Sequence, residues 1–111
     1  MHDVIVVGAG PAGNVAARNL AGLGYSVVVI DWRRDIGDKL CTGIIGQECV
    51  DRFPPNESQV YYKARTATIV SPEDNRYPVA RNETQAYVID RVAYVDSLAQ
   101  RAMEAGAQYE L

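Results

Sequence analysis

Gly8-Ala9-Gly10-Pro11-Ala12-Gly13 constrains this chain more than any other feature, because the run sits between two segments of different period. Asp3 to Val7 is short and β-branched, which reads as a buried strand. From Pro11 to Leu23 the apolar residues Ala12, Val15, Ala16, Leu20 and Leu23 fall at helical spacing, with Asn14 and Arg18 placed off that face. Gly24 stands where a left-handed cap is expected. Ser26 to Ile30 is a second buried strand ending at Asp31, so the first thirty residues read as a right-handed parallel βαβ unit.

In such a unit the three glycines have separate tasks. Gly8 permits the tight turn, Gly10 lets a pyrophosphate approach the backbone, and Gly13 lets the helix pack closely on the strand. Pro11 suits the first helical position, where its missing N–H had no partner. The helix start then offers open N–H groups and a partial positive charge to an anion. Asp31 lies eighteen residues after Gly13, where a carboxylate can accept the hydroxyls of an unphosphorylated ribose. Together these features specify a dinucleotide site. They do not separate FAD from NAD.

Further along, Trp32 to Cys41 reads as a charged loop leading to a short helix over Gly43 to Arg52, ended by Pro54-Pro55-Asn56. Alternation over Ala64 to Val70 and Tyr77 to Ala80, around Ser71-Pro72-Glu73-Asp74-Asn75, predicts an antiparallel pair inserted at about 64–80. Ala86 to Ile89 reads as a strand. Asp90 then caps a helix with apolar positions Val92, Val95, Leu98, Ala99, Ala102 and Met103, closed by Gly106. Ala107 to Leu111 begins another strand, expected to lie beside the second. The expected fold is α/β, a Rossmann-like βαβ FAD-binding domain with an inserted antiparallel β pair, spanning 1–111 as an N-terminal segment and incomplete.

Net charge is -3 over 111 residues, so no cationic field is available to attract a phosphate backbone, and nucleic acid is excluded as a partner class. The longest apolar runs are far too short to span a bilayer, and no secretory leader fits ahead of the first strand. A cytoplasmic protein is expected. Cys41 and Cys49 have neither a metal-site nor a disulfide-framework spacing and read as thiols.

Val4-Ile5-Val6-Val7 with the glycine run resembles the FAD-dependent oxidoreductases of the glutathione-reductase-like superfamily. Lys39-Leu40-Cys41-Thr42-Gly43, Tyr87-Val88-Ile89-Asp90-Arg91, Asp96-Ser97-Leu98 and Ala105-Gly106-Ala107 are similar to the geranylgeranyl reductase family and its relative p-hydroxybenzoate hydroxylase. The resemblance implies FAD as cofactor, held by Gly8, Gly10, Pro11, Ala12, Gly13, Asp31, Trp32 and Arg33, with Cys41, Thr42 and Gly43 running under the flavin. It also implies that Arg91 contacts the pyrophosphate or ribityl chain, a role its guanidinium fork suits independently. Cys41 is the candidate catalytic residue. Here it precedes Thr42-Gly43-Ile44-Ile45-Gly46 where the family carries a run of glycines, so a packing thiol is the alternative.

By the same resemblance the parent enzyme reduces carbon–carbon double bonds of an isoprenoid lipid, draws electrons from NAD(P)H or ferredoxin, and works in the cytoplasm or at the membrane periphery. The segment alone is expected to be inactive. The competing readings are a flavin monooxygenase of the aromatic hydroxylase type and a non-catalytic or NAD-binding module.

Overall fold

Val4–Val7 forms β1 and Val27–Ile30 forms β2, paired in parallel with Val4 opposite Val27 and Val7 opposite Ile30. Between them runs α1, Pro11–Gly22. A strand of three residues near the end of the chain, β8 (Gln108–Glu110), adds to β2 in parallel, giving the order β1-β2-β8. The computed structural model describes residues 1–111. They divide into two units: Met1–Leu40 with Arg91–Leu111, and Cys41–Asp90.

The first unit holds the parallel sheet, α1 and α3 (Arg91–Glu104). Its core is built from Val27, Val29, Ala17, Ala21, Ala102 and Ala107, with Val4, Val6 and Tyr109 packed against them. On the opposite parity of β1, Ile5 and Val7 are 63% and 80% exposed. Gly24 and Gly106 adopt φ of 93° and 106° after the two helices, the left-handed turn that glycine permits without strain.

The buried face of α1 differs from the expected one. Ala12, Ala16 and Leu23 are exposed and Val15 and Leu20 half-buried, whereas Asn14, Ala17 and Ala21 are buried. Helix α1 packs closely against α3 as well as the sheet. Gly13, Ala17 and Ala21 recur every four residues, so small side chains form the stripe that lets backbones approach. Bulk decided the orientation, and hydrophobicity alone pointed elsewhere. In α3, Val95, Leu98, Ala99 and Ala102 are buried as expected, but Val92 and Met103 lean to solvent and Tyr94 takes a core place.

The second unit is antiparallel. Ile44–Gly46 (β3) and Val60–Ala64 (β4) flank Ala86–Ile89 (β7). The helix expected over Gly43 to Arg52 begins later, as α2 at Gln47–Arg52. The preceding Ile44 and Ile45 are β-branched and take the ladder opposite Val88 and Tyr87 instead. A single 3₁₀ turn, Glu57–Gln59, leads into β4.

The inserted pair is present as β5 (Thr66–Val70) and β6 (Arg76–Ala80), with Ile69 opposite Tyr77. Its turn is closed by Ser71 and Asn75, and Asp74 takes φ 61°. Pro78 is tolerated in β6 because this sheet has only two strands and both are edges. No helix is long and apolar enough to cross a membrane.

Candidate cofactor site

Gly8 donates its N–H to the carbonyl of Ile30 at 2.8 Å, the last ladder bond before the chain turns. Its φ of 105° requires glycine. A Cβ on Gly13 would land on the Gly8 carbonyl oxygen and press on the Val6 side chain at 3.3 Å, so this residue sets how tightly α1 sits on β1. At Gly10 a Cβ would meet nothing within 4 Å, and the space in front of that backbone is open.

Helix α1 has no side-chain cap on Gly10 and no acidic residue in its first turn, with Pro11 at its start. The Ala12 and Gly13 amides thus have no intrahelical acceptor and form the positive end of the dipole. An anionic group is what such a terminus lacks.

Asp31 closes the turn from the other strand. Its Oδ2 accepts the Ala9 N–H at 2.8 Å and its Oδ1 accepts the Arg33 N–H at 2.9 Å. These bonds, from Arg33 first and Ala9 second, hold its carboxyl below the usual carboxylate range. The side chain is 12% exposed, and the Arg33 guanidinium stands 4.0 Å from Oδ1. Each carboxylate oxygen keeps a lone pair for a further donor. Arg33 also lies 4.2 Å over the ring of Trp32, which is 81% exposed.

These groups line one cleft of about 330 Å³ in the first unit, together with Asp35 to Lys39, Arg91 and Val95. Arg91 begins α3, and its Nη1 is buried with no hydrogen-bond partner. An unmatched buried guanidinium nitrogen costs free energy unless an anion meets it. A pyrophosphate on the α1 terminus would supply one. The residues present therefore fit a dinucleotide: open amides and Arg91 for phosphate, Asp31 for ribose.

The cleft brings together Gly8, Gly10, Pro11, Ala12, Gly13, Asp31, Arg33 and Arg91. Trp32 borders an adjoining shallow surface that shares Val7, Gly8, Asp31 and Arg33 with the cleft. Cys41, Thr42 and Gly43 belong to the second unit. There Cys41 and Thr42 are exposed, while Gly43, at φ 70°, is buried and receives the Ile89 N–H at 2.8 Å. A Cβ on Gly43 would stand 2.9 Å from the Ile89 carbonyl oxygen, which explains the glycine by strand packing.

Two contributors were not apparent in the sequence. Gly37, at φ 87°, presses the loop onto the Val92 backbone at the start of α3. Asn14 is fully buried and donates from Nδ2 to the Ala9 carbonyl. An asparagine inside a helix is costly unless its amide is satisfied, and that cost was the available signal.

Fold and cleft define a dinucleotide-binding α/β unit. The chain belongs to the pyridine nucleotide-disulphide oxidoreductase family, whose model matches residues 2–106. It is 34% identical over 116 residues to the digeranylgeranylglycerophospholipid reductase of Methanocella arvoryzae, covering 99% of this chain and 29% of that protein. A geranylgeranyl bacteriochlorophyll reductase-like protein from Thermoplasma acidophilum superposes with a TM-score of 0.86 at 27% identity, over 97% of this chain and 29% of that one. The flavin-dependent brominase Bmp2 shares the fold, with a TM-score of 0.62 at 21% identity over 99% of this chain and 29% of its own. The resemblance read from the motifs agrees with these relatives, and FAD is the cofactor they support. The chain spans under a third of their length.

Proposed function

We propose that this chain holds FAD for a reductase that saturates carbon–carbon double bonds of a geranylgeranyl-type polyprenyl lipid. One observation carries the FAD part: the buried, unpartnered Nη1 of Arg91 lines the same cleft as the uncapped start of α1 and the Asp31 carboxylate. The lipid part is supported by likeness to reductases named for such lipids.

Bound FAD supplies two-electron transfer through its ring. The chain's own residues bind and orient. Ala12 and Gly13 amides with Arg91 take the pyrophosphate, Asp31 takes the adenosine ribose, and Trp32 and Arg33 stand beside Asp31 at the adenosine end. Cys41, with Thr42 and Gly43, is the candidate for placing a double bond or donating a proton to it. NAD(P)H or ferredoxin is the proposed electron donor, in the cytoplasm or at the membrane surface.

The test is the full-length protein, purified and assayed for bound flavin by its visible spectrum. It is then given a digeranylgeranyl lipid under reducing, anaerobic conditions. Saturated product supports the proposal. Oxygen-dependent hydroxylation of an aromatic substrate, with no lipid reduction, would assign the flavin to a monooxygenase instead.

A further inference from the structure

Asn14 is the one polar side chain in the first unit with no exposed surface. Its three side-chain hydrogen bonds run to different elements. Nδ2 donates to the Ala9 carbonyl in the glycine turn at 3.1 Å and, over a longer 3.4 Å, to the Val95 carbonyl in α3. Oδ1 accepts the Tyr109 hydroxyl, from β8, at 2.8 Å. The Tyr109 phenol is pushed up to about 12 by burial, so it remains a donor throughout the physiological range.

Helix α3 carries Arg91 one turn before Val95. The glycine turn carries the backbone that faces the same cleft. Asn14 therefore ties the two walls of the cleft across α1, and its third bond fixes the amide's orientation. A leucine or alanine here would fill or vacate the space but leave the Ala9 carbonyl and the Tyr109 hydroxyl unmatched. Packing alone does not explain an amide at this position.

We infer that Asn14 is a positioning residue that sets the distance between the glycine turn and Arg91, and so sets FAD affinity through Arg91. The inference rests on the FAD reading. A pyrophosphate that must meet both walls is sensitive to their spacing, whereas a ligand meeting one wall is not.

The experiment is a double-mutant cycle in the full-length protein, titrating apo-protein with FAD by flavin fluorescence and recording apo melting temperatures alongside. Asn14→Ala is expected to weaken FAD on the order of tenfold with Arg91 present, and by less than about threefold in the Arg91→Met background, because spacing no longer matters there. Unchanged affinity in Asn14→Ala, or an equal loss in both backgrounds, overturns the inference. Should Asn14→Ala not fold, Tyr109→Phe removes only the bond to Oδ1. A loss of affinity that vanishes in Arg91→Met then supports the inference, and no loss or an additive loss overturns it. A wild-type protein that binds no FAD would fail the functional reading, a result separate from every arm of the cycle.

Discussion

Asp31 and Ala9 are joined by a 2.8 Å bond from the Ala9 N–H to Oδ2, across the gap between the ends of β2 and β1. The carbonyl of the same alanine receives the Asn14 amide. Both polar groups of one buried residue are thereby held by side chains, and the glycine turn is fixed before any ligand arrives. Asp31 thus braces the turn, a task that its proposed contact with the ribose does not convey.

Removal of that brace should affect cofactor and fold together. Asp31→Ala is expected to weaken FAD by roughly 1–3 kcal/mol and to lower the apo melting temperature, since it leaves the Ala9 N–H without its acceptor. Asp31→Asn should do nearly as much, because one of its two polar atoms is a donor facing a donor. Flavin retention through gel filtration and calorimetry of the apo-protein measure the two effects; full retention with an unchanged melting temperature would leave Asp31 without the role given to it.

The same carboxylate predicts the acid limb of stability. Its folded-state pKa lies below the ordinary aspartate value of 3.8, so the unfolded chain takes up a proton first as pH falls. The stabilisation is complete above that value and is lost as pH drops through 3.8 toward the folded pKa. Wild type and Asp31→Ala should accordingly differ most in stability above pH 3.8 and draw together as pH falls from there through the lower folded pKa, as urea titrations across the range would reveal.

How much of this was legible in the sequence depends on how local the determinants are. The glycine run, Pro11 and Asp31 occupy fixed offsets around two β-branched strands, so the βαβ unit and most of its cleft could be read directly. The side of α1 that turns inward could not, because Val15, Ala16 and Leu20 are the more apolar residues while contact with α3 selects Ala17 and Ala21. Residues 41–90 were harder still. Ile44 and Ile45 become a strand only by pairing with Val88 and Tyr87 more than forty positions away, and β4 depends on the same distant partner. Arg91 stood out in the sequence as a candidate phosphate ligand by type and place, but the absence of a partner for its Nη1 is a property of the packed molecule.

That unmatched nitrogen predicts a trade-off. Arg91→Met keeps the apolar stem and removes the buried charge, so the apo-protein should melt no lower than wild type, and higher if the guanidinium is costly there. FAD affinity should fall by about tenfold, as expected for a charge-assisted bond to phosphate. A variant that loses both apo stability and nothing in affinity would mark Arg91 as a structural residue.

Gly10 and Gly13 should fail in different ways despite belonging to one motif. Gly13→Ala drives a Cβ into the Gly8 carbonyl, and overpacking of this kind costs roughly 1–3 kcal/mol of stability with or without flavin. Gly10→Val meets open space and should leave the apo-protein folded but colourless, its side chain standing where the pyrophosphate belongs. A yellow Gly10→Val protein of normal affinity would place the phosphates on another segment.

The role proposed for Cys41 comes from the family resemblance. It is exposed in the second unit, next to an exposed Thr42 and ahead of a Gly43 whose conformation is accounted for by its contact with Ile89. Its proposed work is to place the lipid double bond or donate a proton to it, and in either case placement within about 3–3.5 Å governs the rate more than intrinsic acidity does. Cys41→Ser keeps a smaller donor, and Cys41→Ala keeps none. Both variants should therefore bind FAD and accept electrons normally, while the flavin-to-lipid step slows in the order wild type, serine, alanine. Single-turnover reoxidation of the reduced flavin by the lipid separates that step from flavin reduction. Wild-type rates in both variants would show Cys41 to be a packing residue, with the Thr42-Gly43-Ile44-Ile45 sequence after it serving strand β3 alone.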